Sequence, residues 1–288
     1  MAVKIVTDST SYIPDELIKE YDISVVSLNV LLNGISYREV ELENEKFYEE
    51  MDKSEDIPTS SQPNIEEFSK VFKSIAAKGD DIVGIFISSE MSGTYSTAHL
   101  IKEMVLEEYP NTSIELVDSR TNCMQMGYQV IQAAREAKRG EEIENVVKIA
   151  KRTIETSKFL FVPDTLKYLK KGGRIGGASA LLGTILQIKP ILTVEDGKTT
   201  MFDKVRTKRK AIDTIVKKVL IDIQERGLGE VIVHHINCEE EGLEVANRLK
   251  EALKVDVKVR PIGATIGLHV GPNTIGVAYY TQRTNNEK

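Results

Sequence analysis

At 288 residues the chain is long for one compact core and predicts two domains of ordinary size. Its 41% hydrophobic and 28% charged residues, spread without blocks, exclude a disordered chain, and no apolar run approaches the roughly 20 residues that a membrane helix needs. A formal net charge of -6 argues against a nucleic-acid protein, because phosphate recognition requires a broad basic surface.

Met1 to Val6 runs directly into an apolar, strand-like segment without a basic stretch, apolar core and cleavage site ahead of it, so a cytoplasmic protein is expected. Val3 to Thr7 reads as a strand, Pro14 to Tyr21 as a helix with proline in its first turn, and Ile23 to Leu32 as a second strand. Asn44 to Lys53 and Asn64 to Ala77 have helical periodicity, and Gly79 ends the latter. Ile82 to Ile87 is almost wholly apolar, which predicts a strand covered on both faces. A helix from Gly93 to Tyr109, a strand from Ile114 to Val117, and helices from Met124 to Arg139 and Glu141 to Thr156 follow. The alternation predicts a parallel sheet flanked by helices in an N-terminal α/β domain, residues 1–157.

A second α/β domain with a mixed sheet is expected over residues 158–288. Phe159 to Val162 reads as a strand and Thr165 to Lys171 as a helix. Ile191 to Val194 and Thr199 to Lys204 read as strands around an Asp196-Gly197 hairpin turn. Thr207 to Arg226 and Glu239 to Lys254 are predicted helices, with strands at Val231 to His235, Val255 to Val259 and Ile275 to Tyr280. Cys123 and Cys238 lack metal-like spacing and read as free thiols in a reducing compartment, so neither a disulfide nor a metal or other cofactor is expected.

Ligands of open parallel sheets bind at the carboxyl ends of strands. Here the residues after the strands are hydroxylic: Asp8-Ser9-Thr10-Ser11, Ser88 through Tyr95, and Asp118-Ser119, together with Thr59-Ser60-Ser61-Gln62-Pro63 before a helix. Such residues also serve as helix caps and turns. Several of them on one sheet edge, with few cations among them, suit a small anionic or polar head group. Ser92-Gly93-Thr94 is the sharpest candidate, since a glycine at a helix start lets a carboxylate or phosphate reach free backbone N–H groups. His269, in the glycine-rich bend Gly267 to Pro272, could donate to an anion and in its protonated form add charge complementarity. His99, His234 and His235 read as structural.

At these residues the sequence resembles the DegV family. Thr7 to Ser11 is similar to the family's opening signature, Ser60-Ser61-Gln62-Pro63 to its Thr-Ser-Gln-Pro loop and Ser92-Gly93-Thr94-Tyr95 to its Ser-Gly-Thr-Tyr turn. Lys171-Gly172-Gly173-Arg174-Ile175, Val205-Arg206-Thr207 and the His269 bend complete the set, in order along nearly the whole chain. The resemblance implies two α/β domains related to dihydroxyacetone kinase folds, with a long-chain fatty acid bound between and beneath them. It implies the role of a non-catalytic subunit that presents the bound carboxylate to a separate ATP-dependent kinase subunit, whose acyl phosphate product serves phospholipid synthesis. Carried over, the carboxylate-binding residues are Ser60, Ser61, Ser92, Gly93 and His269, and the acyl tunnel is lined by Thr121, Asn122 and Cys123. Ser60 replaces the usual threonine but keeps the hydroxyl; Asn273 stands where a glycine is common.

Lys204, Arg206, Lys208, Arg209 and Lys210 crowd a predicted helix start, where the dipole disfavours cations. A solvated face and a docking patch for an acidic kinase surface both fit, with Arg206 and then Arg174 the docking residues that the resemblance points to. The Gly172 to Gly177 run follows a helix and lacks a Gly-Lys-Ser/Thr ending, so nucleotide binding is discounted. Two rivals remain: a lipid carrier without a kinase, and a serine hydrolase of acyl esters using Ser92, Asp118 and His269. The hydrolase lacks a Gly-x-Ser-x-Gly elbow.

Overall fold

The computed structural model describes residues 2–54, 58–181, 188–284 and 287. Its strands are β1 (Val3–Asp8), β2 (Ser24–Val26), β3 (Asn29–Leu32), β4 (Ile35–Arg38), β5 (Thr59–Ser61), β6 (Asp81–Phe86), β7 (Ile114–Asp118), β8 (Ser157–Val162), β9 (Lys189–Glu195), β10 (Lys198–Val205), β11 (Leu228–Ile236), β12 (Lys258–Pro261) and β13 (Thr274–Thr281). Its helices are α1 (Asp15–Glu20), α2 (Asn44–Lys53), α3 (Ile65–Ala76), α4 (Thr94–Glu108), α5 (Cys123–Lys138), α6 (Ile143–Thr156), α7 (Lys167–Lys171), α8 (Lys208–Arg226), α9 (Glu239–Leu253) and α10 (Ala264–Val270).

β2-β1-β6-β7 form a parallel four-stranded sheet, and β10-β9-β8-β13-β11-β12 a mixed six-stranded one in which only β11 and β12 run parallel. Alternation along the strands sets the layers. In β6 and just beyond it, Val83, Ile85 and Ile87 share a core with α5, while Ile82 and Phe86 pack with Phe68 and Phe72 of α3 and Ile101 of α4. Neither face meets water, which is why this strand is apolar throughout. In β8, Phe159 and Phe161 join the α5 core, whereas Leu160 and Val162 face Ile215 of α8 and Leu249 of α9. The order is therefore α3 and α4, parallel sheet, α5 and α6, mixed sheet, α8 and α9. α5 lies between both sheets, and its residues from Cys123 through Ile131 are buried.

Three details differ from the sequence reading. The segment Ile23 to Leu32 is two strands, β2 in the parallel sheet and β3 in a small antiparallel sheet of order β4-β3-β5. β4 and β5 carry no apolar alternation, because β4 is largely exposed and β5 is Thr59, Ser60 and Ser61. The stretch before Gly271 is not a bend but the short helix α10, with His269 in its last turn. The hairpin at Asp196-Gly197 forms as read, with φ of 49° and 80°. Asn273 has φ of 59°, a left-handed conformation that asparagine tolerates better than most side chains, so it can stand where glycine is common.

A sealed polar cluster joins the two halves. Asp8, buried at the end of β1, accepts from the Ile87 N–H at 2.7 Å and the Thr10 N–H at 2.9 Å. The buried Glu39 carboxylate accepts from Ser9 Oγ at 2.5 Å, Tyr12 Oη at 2.8 Å and the Thr265 N–H at 2.9 Å. Tyr12 Oη accepts in turn from the Ile266 N–H at 3.3 Å. Groups from the first half thus satisfy free donors at the start of α10, and so fix the helix that carries His269.

Candidate functional site

A cavity of about 250 Å³ opens where β5 and the β6–α4 loop meet α7, α10 and the inner face of the mixed sheet. Ser60, Ser61, Gln62, Ser92, Gly93, Arg174 and His269 form its exposed or half-buried polar rim, and four buried polar residues, Asn122, Thr199, Thr265 and Thr274, also line it. Its apolar wall is buried and includes Leu28, Ile87, Phe159, Phe161, Ile262 and Ile266. A hydroxylic mouth thus lies over a body that is mainly apolar but also carries these buried polar groups.

At the mouth, Ser60 Oγ and His269 Nε2 lie 2.9 Å apart in a hydrogen bond that spans 209 residues of sequence. β5 holds Ser60 opposite Val30 of β3, and the buried face of α10 holds the imidazole. His269 Nδ1 is buried, with no hydrogen-bond partner among the described residues. A Cβ at Gly172 would lie 2.2 Å from that nitrogen, so the backbone after α7 can close over the ring only at glycine. Burial first, and then the neighbouring Arg174 charge, push the imidazole pKa down to about 4. Near neutral pH the ring is a neutral hydrogen-bonding group, the first of the two forms the sequence left open.

Ser92 Oγ lies 2.9 Å from Thr94 Oγ1 and accepts from the Thr94 N–H at 3.3 Å. Gly93 precedes α4, a helix with no acidic residue in its first turn and no side-chain cap bond. Its N-terminal partial charge favours an anion there. Arg174 crosses the rim, donating from Nε to the Met91 carbonyl at 3.2 Å and from Nη1 to the Gly172 carbonyl at 2.7 Å.

Of the residues assigned to a tunnel, only Asn122 lines this cavity. Thr121 is turned away and donates to Gln125 Oε1 at 2.7 Å, while Cys123 is packed into the core around α5. Extended backbone at Asn122, followed by φ of 51° at Cys123, directs the successive side chains apart. Arg206 is exposed and does not line the cavity. Lys208 of the basic cluster is engaged internally, pairing with Glu241 and donating to the Asn273 carbonyl at 2.8 Å.

The hydrolase arrangement does not form. Asp118 accepts from Ser89 Oγ at 2.6 Å and the Arg120 N–H at 2.9 Å, Ser92 bonds Thr94, and His269 bonds Ser60. No carboxylate among the described residues orients His269, so Ser92 has no base relay.

Sequence reading missed Gln62, Thr265 and the paired rings of Phe159 and Phe161, which stack at 5.1 Å between centroids along the cavity. The alternation of β8 could have identified the rings as one face of a strand. Nothing in the spacing marks Thr265.

A parallel and a mixed sheet sharing a central helix layer, with a hydroxyl-rimmed apolar cavity where the halves meet, define a class of two-sheet α/β binding folds. The chain belongs to the DegV family: the family model described as "Uncharacterised protein, DegV family" matches residues 2–282. A DegV domain-containing protein of Clostridium acetobutylicum is 52% identical over 283 residues, 98% of this chain and 99% of its own. The structure of DegV from Bacillus subtilis, a fatty acid binding protein, superposes with a TM-score of 0.88 at 33% identity, covering 98% of this chain and 99% of that one. A stearic acid-binding protein from Eubacterium ventriosum gives 0.89 at 27% identity, covering 97% and 98%.

Proposed function

We propose that the chain binds one long-chain fatty acid in this cavity and presents its carboxylate to a separate ATP-dependent kinase subunit for conversion to acyl phosphate, performing no chemistry itself. The observation that carries the reading is the Ser60–His269 pair at the polar mouth of a cavity whose buried wall is largely apolar. Ser60, Ser61, Ser92 and the Gly93 amide supply donors to the carboxylate, and His269 donates from Nε2. The alkyl chain lies along Phe161, Phe159, Ile262 and Ile266. Each buried methylene contributes about 0.8 kcal/mol, against the carboxylate's lost hydration and the cost of association. The fatty-acid-binding relatives with the same fold support this assignment.

We further propose a cytoplasmic location, shared with the kinase and its ATP; no helix among the described residues is long and apolar enough to cross a membrane. Arg174 at the rim and the exposed Arg206 are the proposed contacts to the kinase. Native mass spectrometry before and after denaturation tests the binding: a released mass matching one fatty acid is expected, and a hydrophilic adduct alone sinks the reading. With the kinase and ATP added, Arg206→Ala should retain fatty-acid affinity yet lower acyl phosphate formation about tenfold. Equal loss of both would remove Arg206 from the docking surface.

A further inference from the structure

A second cavity, of about 270 Å³, lies between α1, the start of α5 and the β11–β12 edge, where Leu17, Met124, Tyr128, Ile232 and Val255 line it. One short path of contacts separates it from the first. Phe159 lines the first cavity; the His234 ring stands edge-on to Phe159 with centroids 5.8 Å apart; and His234 Nε2 accepts the N–H of Met124, which lines the second, at 3.3 Å.

Strand register gives this path a direction. Phe161 lies across Gly276 from His234, and Phe159 lies across Ala278 from Ile232, one pleat further from the Thr274 end that lines the first cavity. Ile232 already faces the second cavity. Moving from Phe161, level with His234, to Phe159, level with Ile232, therefore leads away from the mouth, with His234 beside the path.

We propose that His234, with Phe159 and Met124, forms a fixed stop for the end of the acyl chain and so sets the longest fatty acid that the protein accepts. The inference rests on the fatty-acid reading above. What distinguishes this wall from an ordinary apolar one is that its central ring cannot swing aside. His234 is fully buried, and because Nε2 accepts from Met124, Nδ1 carries the proton and donates to the Arg260 carbonyl at 3.0 Å. Tyr12 stands against the ring edge-on, 6.3 Å between centroids. Rotating the imidazole breaks both hydrogen bonds and leaves buried polar groups unpaired, whereas a leucine or methionine at this place could change rotamer. Shortening a side chain beside the ring would join the two cavities into one longer channel.

The test is the ratio of affinities for hexadecanoate and docosanoate. Unsubstituted protein should favour hexadecanoate by at least about tenfold, and Met124→Ala, which keeps the N–H on His234, should cut that preference about tenfold or reverse it. Phe159→Leu opens the same wall independently, should Met124→Ala fold poorly. Adding Leu17→Phe to Met124→Ala refills the second cavity and should restore the original ratio. An unchanged ratio in folded variants that still bind both acids overturns the stop. Failure of the unsubstituted protein to bind either acid overturns the fatty-acid reading itself, and the stop with it.

Discussion

The loop after β1 and the mouth formed by β5 and the β6–α4 turn share a composition but have opposite fates. Asp8, Ser9 and Thr10 lie at the carboxyl edge of the parallel sheet, as the half-buried Ser92 does, yet they are sealed. Their oxygens and hydrogens are consumed by Glu39, the Ile87 N–H and each other. At the mouth, the Ser60 hydroxyl has His269 as its one side-chain partner among the described residues, and the Ser92 hydroxyl bonds Thr94 two residues away. A hydroxyl-rich loop is thus a framework where a buried carboxylate saturates it and a ligand cradle where none does. The carboxylates are Asp8 within the loop and Glu39 from a segment that carries no motif.

Removing Glu39 should break the contrast most severely. Glu39→Ala strands Ser9 Oγ, Tyr12 Oη and the Thr265 N–H in the interior, and at about 1–3 kcal/mol for each unsatisfied group the loss should be at least ~3 kcal/mol. Urea unfolding at neutral pH measures it, and a change below about 1 kcal/mol would show that the cluster does not hold α10.

Acid should separate the regions next, because their groups titrate in opposite senses. Burial lowers the pKa of His269 and His234 to about 4, so the stability tied to their neutral forms is complete above the unfolded value near 6.5 and is lost as pH falls through about 4. Each accounts for roughly 3 kcal/mol. Asp8, raised to about 6 by burial, works the other way: its contribution is present below the unfolded value and lost as pH rises through about 6. The slope between neutral pH and pH 4 is the balance of these two senses, with the burial-raised Glu39 on the side of Asp8, so the share of each histidine is read from its substitution. His269→Gln should flatten that slope, and an unaltered slope would mean that the imidazole is already protonated near pH 6.

The smallest effect on the fold should come from the mouth. Ser60→Ala and Ser92→Ala should alter stability by less than about 1 kcal/mol, while each weakens fatty-acid binding about tenfold through a lost bond to a charged oxygen. Isothermal titration with hexadecanoate checks this, and full affinity in both variants would move the carboxylate elsewhere.

What the sequence made legible followed from periodicity. The doubly covered β6, the Asp196-Gly197 hairpin and the helices with long apolar stripes all announce themselves locally. The small antiparallel sheet did not, because its strands are short and its edge is exposed, so no alternation develops. α10 was hidden by its seven-residue length and by the glycines around it. The serine motifs were visible as motifs, but that Ser60 meets His269 depends on packing between distant halves. Of the tunnel residues, Asn122 lines the cavity while Thr121 and Cys123 lie off it for a local reason: the three side chains diverge within one tight turn, which residue identity cannot reveal.

α5, clasped on one side by the parallel sheet and on the other by the mixed sheet, has a kinetic consequence. With its helix common to both walls, the molecule has no cleavage plane along which to gape. On the fatty-acid reading proposed above, a guest would slip out lengthwise, drawing its tail past Phe159 and Phe161 one carbon after another. Exchange with the surroundings is then throttled by the narrowness of the route more than by the strength of the grip at its head.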